Sequence, residues 1–378
     1  MKISLGIVGL PNVGKSTFFN ALAETGEALV ANYPFCTIEP NHGLFSKEDE
    51  LLINLAKVAS SKKILPAVAE IVDIAGIVRN AYKGQGLGNQ FLAHIREVDL
   101  VMLILRDFDD PLVSHSEALV NPLNDLEVLL LELIFADLET LKKALEKARE
   151  QAKSQEKEAL FRKQLLERLK AGLEAEKLIL AQNLQEEEWA ILRSYNFLTA
   201  KPFIFLVNTN EKDLSQKQKL AFGDFLRVYS ASNQQREFLL KNISSKEPFI
   251  YFSGKILAEI KKLPKEEQEQ FKREFNITEI KPLIWQELFE KLELINFFTI
   301  NENEARAHLA PKGINAWQAA GYVHSDFQKK FLFAEVVSAK NFLASGGWQG
   351  ARAKGKTRRE GKDYILQDEE IIFFHNHP

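Results

Sequence analysis

Eight residues near the start constrain this chain more than any others. Gly9-Leu10-Pro11-Asn12-Val13-Gly14-Lys15-Ser16 follows the apolar run 3–8 and opens a helical stretch, 15–23. Two glycines separated by four residues and closed by Lys-Ser make a strand–loop–helix unit whose backbone curls around phosphate. Successive N–H groups point inward, and the positive end of the helix adds its attraction for an anion. Lys15 is expected to reach the β- and γ-phosphates of a nucleotide, and Ser16 to ligand Mg²⁺. A buried strand feeding a helix in this way belongs to an α/β fold with a mostly parallel sheet.

The pattern continues along the chain. Apolar runs 67–73 and 100–105 alternate with the helical stretch 88–98, and two more candidate strands, 202–207 and Pro248–Phe252, arrive a hundred residues later. Asp73 closes its strand, where a carboxylate can hold magnesium through water, and Gly76 leaves its N–H free for a γ-phosphate. Thr37, within "ANYPFCTIEPN", is the candidate for a second metal ligand, and "YKGQGLGN" follows at 82–89. Two such segments, ordered by a γ-phosphate and released by hydrolysis, define a molecular switch. A P-loop small-molecule kinase is the rival; it would not need the Asp73–Gly76 sensor.

Between the two groups of strands the texture changes. Residues 123–194 contain no proline and one glycine, with Leu126, Leu130, Leu133, Leu138, Leu141 and Leu145 near helical spacing among Lys and Glu. This predicts an antiparallel helical hairpin inserted into the sheet domain, its charges forming a solvated face. From 297 onward short strands mix with a brief helix, which predicts a small α+β domain. Within it, residues 349–362 carry six Lys or Arg between Trp348 and Tyr364. Such a stretch suits RNA phosphates and stacked bases, or is simply a solvated loop.

Bulk properties narrow the partners. A formal charge of -3 excludes a globally basic nucleic-acid binder, so no DNA specificity is expected. Cys36 is the single cysteine, which fits a reducing compartment. No apolar run approaches the roughly 20 residues of a membrane span. The apolar start runs straight into the glycine motif and reads as a strand, not a signal peptide. A cytoplasmic, monomeric protein without membrane contact is expected.

The base is read from Asn208-Thr209-Asn210-Glu211, at the end of the 202–207 run. Guanine-specific switches carry Asn-Lys-x-Asp here, with the Asp accepting from guanine N1–H and the 2-amino group. That clamp is altered here, the longer Glu211 standing in place of Asp, so guanine selectivity should be lost. Asn208 is expected to offer its amide to the N6/N7 edge of adenine, the backbone at Thr209 to contact the base, and Ser253-Gly254-Lys255 to form a second loop beneath it.

These segments together, with "VDIAGIV", "NPLNDLE", "NTNE" and the terminal "GYVHSDF" and "EGKDYILQDEEII", are similar to the Obg-like ATPase family in its bacterial branch, YchF. The resemblance spans nearly the whole chain. It implies a P-loop domain of the translation-factor GTPase class (1–122 and 199–296), a helical coiled-coil insertion (123–198) and a C-terminal TGS domain of ubiquitin-like shape (297–378). It further implies ATP in preference to GTP, Mg²⁺ dependence and association with ribosomes. By motif, Asn12, Val13, Gly14, Lys15, Ser16 and Thr17 would bind phosphates, Ser16 and Thr37 the metal, and Thr209 the base.

Ile77 stands where many switches place a glutamine that aligns water, and an isoleucine forms no hydrogen bond. Two replacements are expected candidates. Asn12 sits where related switches hold a monovalent cation, K⁺, beside the phosphates. Alternatively, His115, in "DFDDPLVSHSEAL", swings in to position water. Slow ATP hydrolysis follows either way. The alternatives are a GTPase of ribosome assembly and a binding module in which hydrolysis only resets the state.

Overall fold

The computed structural model describes residues 2–24, 41–74, 87–110, 120–214, 219–274, 277 and 279–377, without the side chains of 87–91 and 265. The strands, in chain order, are β1 (Ser4–Val8), β2 (His42–Ser46), β3 (Lys63–Leu65), β4 (Val68–Asp73), β5 (Leu100–Asp107), β6 (Phe203–Thr209), β7 (Lys219–Ala221), β8 (Pro248–Phe252), β9 (Leu294–Ile300), β10 (Glu304–Pro311), β11 (Phe331–Ser338), β12 (Arg358–Glu360) and β13 (Glu370–Asn376).

Seven of these form the first sheet, in the order β2-β4-β1-β5-β6-β8-β7. β4, β1, β5, β6 and β8 run parallel, while β2 and β7 pair antiparallel at the two edges. β5 and β6 are the most enclosed strands, as parallel strands covered on both faces must be. The chain leaves β1 to either side, toward β4 and β5, so a crevice opens at the carboxyl ends of the strands beside β1. Every sequence-predicted strand is present. The two antiparallel edges leave no trace in the sequence pattern, because "HGLFS" and "KLA" are short and carry no long apolar run.

The insertion begins with a helix at Pro122–Gln151. Asn121 caps it, its side chain accepting from Leu123 N at 2.9 Å, and Pro122 occupies the first turn where no N–H is needed. The chain folds back at Gln155, whose φ is 61°, into Lys157–Glu174. Leu165, Leu166, Leu169 and Leu173 are buried on this second helix, as are Leu126, Leu130, Leu133, Leu141 and Leu145 on the first. The second limb stops at Glu174, and short 3-10 turns with the Glu186–Leu192 helix carry the chain back to β6.

The buried carboxylate of Asp137 locks the insertion to the sheet. It accepts from Leu198 N at 2.9 Å, Thr199 N at 2.7 Å and Thr199 Oγ1 at 2.7 Å. Arg96, on the Leu87–Glu97 helix, reaches the same group at 3.5 Å and Thr140 Oγ1 at 2.9 Å.

The second sheet has the order β12-β11-β13-β9-β10-β3. Its last strand comes from far upstream: β3 pairs parallel with β10, with Lys63 opposite Glu304. Residue 297, the expected start of the C-terminal unit, lies inside β9. The larger apolar core runs from Ile7 and Met102 through Leu52 and Leu55 to Phe298, Phe342 and Ile371, so both sheets share it, while a second cluster with Phe297, Val336 and Phe374 belongs to the second sheet's own elements. The basic stretch is folded into a helix, Trp348–Ala353, and β12, and is not an open loop. Arg352 clamps Glu335 at 2.8 and 2.7 Å, and Arg358 reaches Glu370 at 2.8 Å. Two of the six cations are therefore spent inside the protein.

Candidate nucleotide site

The glycine loop joins β1 to the Lys15–Leu22 helix. Its glycines are required by contact. A Cβ on Gly9 would stand 2.6 Å from Ile104 O, and one on Gly14, whose φ is +98°, would stand 2.4 Å from Asn208 Nδ2. Asn12 is also left-handed, at φ 60°, a region that asparagine enters more readily than most side chains. Val13 is fully buried, while Asn12, Ser16 and Thr17 are exposed.

Lys15 is buried, and its ammonium donates to Leu10 O at 2.9 Å. Burial holds its pKa below the usual lysine value, opposed by the charge of Asp73. Asp73, half-buried at the end of β4, lies level with Ile7 of β1. A cation and a carboxylate thus flank a loop too tight for side chains, the setting that a magnesium–polyphosphate needs. The donor set fits the ion: Ser16 offers a hydroxyl and Asp73 a carboxylate, both hard oxygens. Thr37, Gly76, Ile77 and His115 lie outside the described residues.

Asn208 requires a correction. Its side chain is 5% exposed; Nδ2 donates to Val13 O at 3.0 Å and Oδ1 accepts from Gly254 N at 2.9 Å. The amide expected to read adenine is a strut between the glycine loop and the Ser253-Gly254 loop. Buried between the two loops, the amide is turned to the backbone of each and not to an open base edge. Ser253 caps the Gly254–Lys262 helix, its hydroxyl accepting from Ile256 N at 3.4 Å.

Thr209 is 2% exposed, and its hydroxyl donates to Asp107 Oδ2 at 2.9 Å, which turns the side chain inward. Glu211 opens the short Glu211–Leu214 helix and forms an ion pair with Lys255 at 2.7 Å. The residue at the guanine-reading position therefore has a cation on it. That pair also raises the pKa of Lys255, chiefly through the hydrogen bond itself.

Two charged residues at the end of β5 escaped sequence reasoning. Arg106 is 1% exposed; its Nε donates to Phe108 O at 3.1 Å, its Nη1 to Asn12 O at 3.4 Å, and its guanidinium lies 4.3 Å from the Phe108 ring centre. It braces the glycine loop from behind. Asp107, beside it, meets Thr209 across the parallel pair β5–β6. The signal was their register: they continue a wholly apolar strand opposite Asn208 and Thr209.

Comparison with known proteins agrees with this architecture. A family model described as a 50S ribosome-binding GTPase matches residues 4–147, and one named YchF-GTPase_C, described as a protein of unknown function, matches 294–376. The chain is 39% identical to the ribosome-binding ATPase YchF of Bacillus subtilis, covering 99% of both chains. It is 36% identical to Obg-like ATPase 1 of Caenorhabditis elegans, over 98% of this chain and 91% of that one. The structure of the Schizosaccharomyces pombe YchF GTPase superposes with a TM-score of 0.82 at 32% identity, covering 99% of this chain and 98% of that one. A P-loop of this geometry, on this sheet order, with such relatives over its full length, makes the chain a member of the YchF family of Obg-like P-loop NTPases.

Proposed function

We propose that this chain binds and hydrolyses ATP with Mg²⁺ and couples nucleotide state to association with the ribosome. The observation that carries the choice of base is the Glu211–Lys255 pair at 2.7 Å. A guanine-reading carboxylate must turn both oxygens to N1–H and the 2-amino group, and here a lysine draws Oε1 toward itself instead. Adenine offers neither donor, so the pair costs an ATPase nothing. The Thr209 backbone is then the part of the loop that meets the base, and the Ser253-Gly254 turn lies under it. The rival nucleotide is GTP, named for the S. pombe relative and in the family model.

In this reading the N–H groups from Asn12 to Thr17 hold the β- and γ-phosphates. The Lys15 ammonium exchanges its bond to Leu10 O for phosphate oxygen. Ser16, Thr37 and, through water, Asp73 would hold the Mg²⁺, which would neutralise charge on the polyphosphate. Water attacks the γ-phosphorus as the bond to the β-phosphate bridging oxygen breaks, giving ADP and phosphate, with the water's protons passing to the phosphate and to solvent. Asn12, beside which a K⁺ would be held, or His115 would orient that water. Arg106 holds the Asn12 carbonyl and leaves the Asn12 side chain on the exposed side, where such an ion would sit.

Ribosome association rests on the relatives' names and on Lys354, Lys356, Arg359 and Lys362, the cations of the 349–362 stretch left over from the Glu335 and Glu370 pairs. Cosedimentation with ribosomes in ATP, ADP and no nucleotide tests the proposal. Binding that depends on nucleotide supports it; equal pelleting in all three contradicts the coupling. Equal hydrolysis in K⁺ and Na⁺ would remove the cation, and an intact kcat in His115→Ala would remove the histidine.

A further inference from the structure

The two base-site loops are held from within the fold by a group that belongs to neither. Asp107 ends β5 and lies level with Thr209, the last residue of β6. Its Oδ2 accepts the Thr209 hydroxyl at 2.9 Å, and its backbone carbonyl lies 3.5 Å from the same hydroxyl. The Tyr229 hydroxyl is also hydrogen-bonded to Asp107, and lies 3.4 Å from that of Tyr251, on β8. Tyr251 is 2% exposed, two residues before Ser253. One carboxylate thereby joins the end of β6, from which Asn210 and Glu211 emerge, to the end of β8, from which Ser253 and Gly254 emerge. Hydrogen bonds to an ionised group, half-buried and linked in a chain, are stronger and more directional than neutral ones in water. The hydroxyl of Thr209 makes this possible; a purely apolar side chain there would leave Asp107 nothing to hold on β6.

We propose that Asp107 is the positioning residue of the base site: through Thr209 and Tyr229 it sets the spacing of the two loops that receive the purine, and so governs affinity for the base without touching the phosphates. The proposal rests on the reading that the base lies between the 208–211 and 253–254 loops. It extends that reading by naming what sets their separation. A site whose supporting shell loosens loses affinity through geometry, not through a lost contact.

The test measures binding of ATP, GTP and inorganic tripolyphosphate, each with Mg²⁺, to the full chain and to Asp107→Ala, Asp107→Asn, Thr209→Val and the double variant Asp107→Ala/Thr209→Val. Asp107→Ala and Thr209→Val should each weaken ATP by roughly 5- to 20-fold, with tripolyphosphate unchanged within about twofold. KM should rise while kcat is kept. The double variant should be no worse than Asp107→Ala alone, because that change already cuts the tie to Thr209. Asp107→Asn retains an acceptor for the Thr209 hydroxyl and should recover most of the ATP affinity. ATP affinity unchanged in a folded Thr209→Val, or ATP and tripolyphosphate weakened equally, would overturn the proposal. Thr209→Val is nearly isosteric, so it remains decisive even if Asp107→Ala fails to fold. If the unaltered chain binds GTP as tightly as ATP, the choice of adenine fails; the nucleotide-to-tripolyphosphate ratio still decides the role of Asp107.

Discussion

Asn208 shows how a residue can be found by position and misread by role. Its place at the end of a buried strand marked it as part of a base loop, but an amide's two ends are satisfied by whatever the fold brings near, and that is not written locally. Val13 is 195 residues away and Gly254 is 46 away. Asn208→Ala is therefore expected to leave Val13 O and Gly254 N without their partner. Stability should fall by about 1–3 kcal/mol and nucleotide binding should weaken for ATP and GTP alike. Urea denaturation and equilibrium binding check this; an unchanged midpoint would mean the strut carries nothing. Lys255→Ala tests a different residue-scale point, since it frees the Glu211 carboxylate. GTP affinity should rise relative to ATP, modestly, because the pair is largely exposed and such pairs are weak. A discrimination ratio that does not move in that variant would locate selectivity elsewhere. The P-loop itself was fully legible, because its chemistry is contained in eight consecutive residues. Arg106 and Asp107 were not, because a charge at the end of an apolar strand reads as the point where the strand leaves the core.

At the scale of elements, single enclosed polar residues fasten neighbouring segments: Asp137 holds the insertion to the chain entering β6, and His308 joins β10 to β9 within the second sheet. Asp137 sits on the first long helix with no exposed surface, and burial pushes its pKa up against the opposing hydrogen bonds from Thr199 and Leu198. Asp137→Ala removes the acceptor of three bonds and should destabilise the chain by about 2–4 kcal/mol, read from urea denaturation. Asp137→Leu, which keeps bulk, should not rescue it, because the Leu198 and Thr199 N–H groups would remain orphaned. In the second sheet, His308 Nε2 lies 2.8 Å from Thr299 Oγ1, and the ring stacks on Phe297 at 4.8 Å between centres. Burial, with the nearby charge of Arg306, lowers its pKa to about 3. The fold thus favours the neutral ring, while the unfolded chain takes up a proton near the ordinary value of 6.5. The stability this contributes is complete above that value and is lost as pH falls toward 3, at a slope below about 1.4 kcal/mol per pH unit. The residue as a whole is only half-buried, which makes the full slope an upper limit. His308→Gln keeps a partner for Thr299 and should flatten the pH dependence of Tm between pH 6.5 and 4; an unchanged slope would assign the acid sensitivity to other groups. Helical periodicity revealed the insertion, yet nothing local revealed Asp137, whose partners lie 61 and 62 residues on.

At the scale of the whole molecule, one short strand and a shared apolar core join the two sheets. β3 leaves the Glu50–Ala59 helix, pairs with β10 in the second sheet, and two residues later the chain enters β4, which ends in Asp73. Trp348, from the second half, donates its indole N–H to Ile300 O at 3.1 Å, and Phe342 beside it belongs to the core that reaches β1 and β5. The two sheets should therefore unfold in one transition, seen as coincident midpoints by circular dichroism and tryptophan fluorescence. Two separated transitions would mean that the shared core contributes little. "KIL" was invisible in sequence because three residues carry no periodicity and their partner strand lies some 240 residues away. The same wholeness bears on function, since the nucleotide site draws on β1, β4, β5, β6 and β8 together. The most direct measurement is competition of ATP and GTP, each with Mg²⁺, for one fluorescent nucleotide bound to the intact chain. ATP should displace it at lower concentration than GTP, with a gap that narrows in Lys255→Ala. Tighter displacement by GTP would contradict the choice of adenine, because a carboxylate already held by lysine could not then be what leaves guanine unread.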